Sequence, residues 1–333
     1  MKLWYTALSV ALVCGLSFTN VSGFDVNSRS NLVTYWGQNS YGVTHGGQSG
    51  PEKSLEELCQ NDVPSDALVL AFLHIFNAGT DKPPQMDFAG QCTDTFEGTQ
   101  LLNCPEIARG IKTCQSKGKA VLLSLGGAVG QYSFQNDEQG RAFAHTLWDM
   151  FFAGKDDQAL RPFGDSVLDG VDLDIEGGSS VGYVAFVSTL RELFAQDQSK
   201  RYYIGAAPQC PFPDHYMQPI LNEAWIDMLF IQFYNNFCGL NDPSKFNFEE
   251  WDKWAKEKAV NKDMKIFIGA PGGPKGANSG FVEFNALRPI IESTRSKYPS
   301  FGGVMFWDTS QAMNTMEGGT SYAQLTANFL KQA

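Results

Sequence analysis

Residues 169–178 read DGVDLDIEGG, and within them Asp172, Asp174 and Glu176 stand at every second position. In an extended strand that spacing puts three carboxyl groups on one face, while Val171, Leu173 and Ile175 point to the other. The apolar face demands burial and carries the acidic face inward with it. With no lysine or arginine inside 167–178, the three acids repel one another and lose hydration, which keeps at least one protonated near neutral pH. A proton held this way is a reagent. Glu176, at the end of the row, can deliver it as a general acid, Asp174 can turn toward Glu176 or toward a bound molecule, and the titration belongs to the group as a whole. A buried ionic network serving only the fold, and a carboxylate site for magnesium, are the competing uses.

The elements that would position this row are legible along the chain. Short β-rich runs recur at 31–36, 67–76, 119–125, 170–176, 202–207, 228–234, 265–270 and 302–307. Helical patterns fall between them. SLEELC starts at Ser54 with Glu57 placed for a capping box, and 105–118 has Pro105 in its first turn and Gly118 as a stop. Further helices are expected near 137–152, 180–195, 249–258, 281–295 and 321–331, with only a short one near 215–222 after Pro208, Pro211 and Pro213. Hydrophobic runs alternating with helices predict parallel strands covered on both faces. Eight such units predict an α/β fold of the (β/α)8 TIM-barrel type, the alternative being an open doubly wound sheet. In the barrel the acidic face becomes the lumen, and Glu176 falls at the C-terminal end of the fourth strand, where catalytic groups of such barrels collect. Nothing divides 24–333, which is expected to form a single catalytic domain with residues 77–103 as a long insertion at the catalytic mouth.

Composition narrows the partners. The 333 residues carry a net charge of −11 and a pI near 4.8, which argues against nucleic acid or an anionic membrane surface and favours a neutral or cationic ligand. Residues 1–23 have the layout of a secretory signal peptide, an uncleaved anchor being the alternative; the apolar run falls short of the ~20 residues of a membrane span. Cys14 would leave with that leader, and the six cysteines that remain suit disulfides in an oxidising compartment. No CxxC or HExxH motif occurs and the four histidines are scattered, so neither metal nor cofactor is expected. The glycine-rich pieces at 126–130 and 269–276 lack the spacing of a phosphate loop. The one N-glycosylation sequon, at Asn20, lies in the expected leader.

DGVDLDIE fits the DxxDxDxE signature of glycoside hydrolase family 18. YWGQN (35–39), LLSLGG (122–127), AAPQCPFPD (206–214), QFYNN (232–236) and FW (306–307) follow in register, so that the chain from Asn31 to Phe329 resembles the fungal and plant class III, hevamine-like chitinases. The resemblance implies a retaining, substrate-assisted glycosidase, an exception to the two-carboxylate scheme. Glu176 would be the general acid and base, Asp174 would manage the acetamido group of the substrate, Asp172 would be its proton partner, and Tyr234 would hold the acetamido oxygen. Trp307 would be the platform under the reacting sugar, with Tyr35, Gln38, Phe72, Asn77, Gly127, Gln232 and Asn235 as substrate-binding candidates, Phe72 being equally consistent with core. The resemblance further implies the pairs Cys59–Cys114, Cys92–Cys104 and Cys210–Cys238, where the sequence by itself leaves fifteen connectivities open, and non-proline cis peptides at Ala71–Phe72 and Trp307–Asp308. The function implied is a secreted, monomeric endochitinase acting on chitin or chitin oligosaccharides. The alternatives are the same chemistry on peptidoglycan or N-glycans, and a non-catalytic chitin-binding lectin or inhibitor.

Overall fold

The computed structural model describes residues 23–47, 52–76 and 82–332; residues 1–22, which hold nearly all of the expected leader, and the candidate Asn77 lie outside them. Eight parallel strands run in chain order: β1 (Asn31–Trp36), β2 (Ala67–Phe76), β3 (Ala120–Gly126), β4 (Gly170–Asp174), β5 (Tyr203–Ala206), β6 (Met228–Gln232), β7 (Lys265–Pro271) and β8 (Phe301–Trp307). Each pairs with its sequence neighbours. β8 pairs back onto β1, from Asn31 opposite Gly303 to Thr34 opposite Phe306. That last ladder closes a TIM barrel and excludes the open sheet.

Two short helices, Ser40–Thr44 and Thr309–Asn314, were not anticipated; the other eight fall where the periodicity puts them. They are α1 (Leu55–Gln60), α2 (Pro105–Ser116), α3 (Asp137–Phe151), α4 (Tyr183–Gln196), α5 (Gln218–Glu223), α6 (Phe248–Glu257), α7 (Phe284–Lys297) and α8 (Tyr322–Lys331). The hydroxyl of Ser54 caps α1 by accepting from the Glu57 N–H at 3.2 Å, but only half of the expected capping box forms, because the Glu57 carboxylate pairs with Lys53 at 3.4 Å instead. The three prolines after β5 leave room for the six-residue α5 alone.

The core is split by the barrel wall. Val171, Leu173 and Ile175 join the large cluster between strands and helices, while a smaller cluster fills the lumen with Val33, Tyr35, Val69, Phe72, Phe230 and Met305. The acid row stands on the lumen side, as strand alternation requires. β4 is shorter than its sequence pattern suggests and ends at Asp174. Its neighbours end there too: β3 stops at Gly126 opposite Asp174, where Gly126 and Gly127 take φ of 111° and 94°, and β5 stops at Ala206 opposite Leu173, so Ile175 and Glu176 have no ladder partner.

Three disulfides join Cys59 to Cys114, Cys92 to Cys104 and Cys210 to Cys238, the pairing that the resemblance implies. The first ties α1 to α2, the second closes the insertion after β2, and the third links the loops that follow β5 and β6. The peptides Ala71–Phe72 and Trp307–Asp308 are cis, as is Phe212–Pro213. Among the described residues no helix is long and apolar enough to cross a membrane, and no group of three His, Cys, Asp or Glu is placed to hold a metal ion.

Candidate active site

At the foot of the row, Asp172 is fully buried. Its Oδ2 accepts from the Tyr35 hydroxyl at 2.6 Å and the Ser124 hydroxyl at 2.7 Å, while Oδ1 has no hydrogen-bond partner among the described residues. Burial pushes its pKa to about 6, against the pull of those two hydroxyls. One step up, Asp174 accepts from Gln232 Nε2 at 2.9 Å, and the same amide donates to the Ala207 carbonyl at 3.0 Å. Asp174 and Glu176 are neighbouring carboxyls, each acting on the other's protonation. Burial first, then the charges of Glu176 and Asp172, drive the Asp174 carboxyl well above the carboxylate range. Burial also raises Glu176, an effect that its polar neighbours Gln232 and Asp174 partly offset. The pair therefore holds a proton between its two members, one step from the surface.

Gly126 permits this geometry. A Cβ added there would stand 2.2 Å from the Asp174 carbonyl oxygen, on backbone at φ 111°. Gly126→Ala should therefore displace β4 and destabilise the fold by about 2–4 kcal/mol, read as a lower midpoint in urea unfolding; an unchanged midpoint would mean that the strand yields freely.

Above the row lies a cavity of about 470 Å³ whose lining includes Asp174, Glu176, Gln232, Tyr234 and Trp307. Burial, then the charges of Asp174 and Glu176, holds the Tyr234 hydroxyl well above its usual pKa, so it stays a neutral phenol and can donate a hydrogen bond. Trp307 is half-buried. Its ring stacks on Phe72 at 5.6 Å between centroids and 20° between planes, with Tyr35 also 5.6 Å away. Phe72 is thus both lumen core and part of the cavity lining.

The remaining candidates separate by position. Gln38 and Asn235 line the cavity, yet each is partly committed to backbone: Gln38 Nε2 donates to the Ala71 and Asp87 carbonyls at 2.9 and 3.1 Å, and Asn235 Oδ1 accepts from the Asn278 N–H at 2.8 Å. Tyr35 lies below the cavity with its hydroxyl on Asp172, and the Gly127 carbonyl accepts from the Tyr132 hydroxyl at 2.5 Å; neither lines the space. Other contributors were not anticipated. His74 and Asp87 line the cavity, as does Val129, which is 80% exposed. His74 follows Phe72 by two at the end of β2, so strand alternation could have found it; Asp87 arrives by an antiparallel return after β2, for which the sequence carries no signal. The Tyr132 hydroxyl also accepts from the Glu176 N–H at 3.3 Å. Asp214, held by three backbone N–H groups, adds negative potential that raises both Asp174 and Glu176.

Residues 31–286 match the family described as "Glycosyl hydrolases family 18". The chain belongs to family 18. It is 47% identical over 310 residues to "Chitinase 2" of Rhizopus oligosporus, covering 93% of this chain and 54% of that one. It is 40% identical over 316 residues to the "Class III chitinase" of Arthroderma benhamiae, covering 91% and 87%. The chain thus spans about half the length of the Rhizopus relative. Among solved structures, the ICChI chitinase of Ipomoea carnea superposes with a TM-score of 0.74 at 29% identity, covering 90% of this chain and 99% of that one. The xylanase and α-amylase inhibitor protein XAIP-II of Scadoxus multiflorus superposes with a TM-score of 0.72 at 27% identity, covering 91% and 98%. A family 18 barrel is therefore compatible with catalysis and with inhibition, and the side chains of the site must decide between them.

Proposed function

We propose that this family 18 chain is a retaining, substrate-assisted endochitinase that hydrolyses β-1,4-linked N-acetylglucosamine polymers. The observation that carries the proposal is that Asp174, Glu176, the neutral Tyr234 hydroxyl and Trp307 line one cavity together. Asp174 adjoins Glu176 and already accepts from Gln232, which suits it to receive an acetamido N–H rather than to attack, so the nucleophile is sought in the substrate. An N-acetyl group supplies one.

In this mechanism Glu176 gives its proton to the glycosidic oxygen as the bond to the anomeric carbon breaks. The acetamido carbonyl oxygen of the same sugar attacks that carbon from the opposite face. The Tyr234 hydroxyl donates to this oxygen and orients it, and the acetamido N–H donates to Asp174, which stabilises the resulting oxazolinium cation. Glu176, now a carboxylate, takes a proton from water as the water attacks the anomeric carbon and reopens the ring. Two inversions leave the configuration retained. A second cavity of about 410 Å³ shares Glu176 and Ala128 with the first, so the acid lies between two spaces, which supports cleavage within a chain. The three disulfides and the expected leader support secretion, and we infer a monomer.

Proton NMR of early products from chitin oligomers tests the scheme. The β-anomer should appear first and then mutarotate; an initial α-anomer would remove the oxazolinium route. Running chitin oligomers, peptidoglycan and a high-mannose glycan side by side separates chitinase from lysozyme and from endo-N-acetylglucosaminidase, and no turnover on any of them would favour a lectin or inhibitor.

A further inference from the structure

Besides the acid row and Asp214, two more carboxyl groups are buried on the catalytic side of the barrel, and the mechanism above uses neither. Glu52 is 6% exposed, and Asp308, which directly follows Trp307, is 0% exposed. Both face the turn that leaves β1. Glu52 Oε2 accepts from the N–H groups of Gly37 at 3.0 Å and Asn39 at 3.2 Å. Asp308 Oδ2 accepts from the Ser40 N–H at 3.0 Å. The Ser310 hydroxyl donates to Asp308 Oδ1 at 2.6 Å and accepts from the Tyr41 N–H at 3.0 Å. With Gly37 at φ 111° and Asn39 at φ 45°, the turn has left the β1–β8 ladder, and these side chains supply the acceptors its backbone needs.

The turn matters because it carries Gln38 on the cavity wall, and the acid that anchors it adjoins the Trp307 floor. We propose that Glu52 and Asp308 form a second acid pair, separate from the catalytic row, that holds one proton and acts as a positioning device for Gln38 and Trp307. The kinetic part of this proposal rests on the chitinase reading; the rest does not.

The charge state follows from the contacts. Neither acid forms an ion pair among the described residues, and two anions in one dry space are unfavourable without a cation. Asp308 has three donors, the third being the Gln311 N–H at 3.0 Å, and is suited to keep the charge. Both donors to Glu52 meet one oxygen, and Oε1 has no partner among the described residues, so Glu52 is suited to keep the proton. Burial and then the charge of Asp308 push Glu52 well above the carboxylate range, while burial raises Asp308 against the pull of its donors. Among the described residues, Tyr234 also feels the Asp308 charge and is itself a neutral phenol, while Lys53, next to Glu52 in the chain, is engaged by Glu57 and Lys275 donates to the Thr44 carbonyl.

Because the folded-state pKa of Glu52 is raised, the stability that this carboxyl contributes is complete below its unfolded value of ~4.3. That contribution is lost as the pH rises toward the folded value. Glu52→Gln keeps an oxygen for Gly37 and Asn39 and never ionises. It should therefore melt with wild type near about pH 4, melt higher than wild type near about pH 8, and hydrolyse chitin oligomers with kcat/KM within about threefold. Glu52→Ala removes the acceptor and should raise KM about tenfold with a smaller change in kcat. A Gln variant that melts lower than wild type near about pH 8 would show that Glu52 is charged and overturn the pair; an Ala variant with unchanged KM would overturn the positioning role. If the Ala variant fails to fold, the melting comparison of Gln with wild type still decides. A wild-type enzyme inactive on chitin oligomers would sink the chitinase reading and leave the melting comparison standing.

Discussion

Glu176→Gln is expected to lower kcat on chitin oligomers by at least about 10³-fold while leaving oligomer affinity within a few-fold of wild type. The side chain is isosteric and keeps an oxygen and a donor beside Asp174, so the fold and the cavity lining have no reason to change. What disappears is the transferable proton, and with it both halves of the reaction, since the same group must later take a proton from water. Rate on oligomers and affinity by titration calorimetry check this together. A variant retaining more than a few per cent of the wild-type rate would mean that another group is the acid, and Asp174 would be the first to suspect. The wild-type rate should also fall as the pH rises through the elevated pKa of Glu176, because the first step needs its protonated form.

Asp174→Asn is the second large effect, with kcat expected to fall about 10²–10³-fold. The amide can still satisfy Gln232 by presenting its oxygen, but it then presents an N–H to Glu176 permanently. It cannot swing to accept the acetamido N–H without losing one of those contacts, and it adds no negative charge beside the oxazolinium cation. A permanent donor also favours the Glu176 carboxylate, so the alkaline limb of the kcat/KM profile should move to lower pH. A variant whose kcat stays within tenfold of wild type would make Asp174 a mere support for Glu176.

Much of this architecture was legible in the residues themselves. Eight apolar runs separated by helical patterns predict the barrel because a parallel strand needs cover on both faces, a demand that every strand repeats in its composition. The acid row was legible because strand alternation is a local rule that three charges in five residues violate on one face only. What the sequence concealed are groups brought together by closure. Tyr35 ends a strand and reads as a sugar contact, but its hydroxyl descends to Asp172. Asp87 reaches the cavity only through the antiparallel return after β2, and Asp214 acts through its charge. Glu52 looks like one more surface acid beside Lys53, and only the turn folding over it shows otherwise.

The closing ladder between β1 and β8 also sets an order in time. Tyr35 and Asp172 lie on β1 and β4, which no ladder joins directly, so their hydrogen bond spans the lumen. Trp307 and Asp308 stand at the end of the last strand, hundreds of residues after the turn they support. Such non-local pairing is slow to form. The cavity is therefore complete only once β8 has paired with β1, and a chain interrupted before that strand carries the acids of the row without Trp307 beside them.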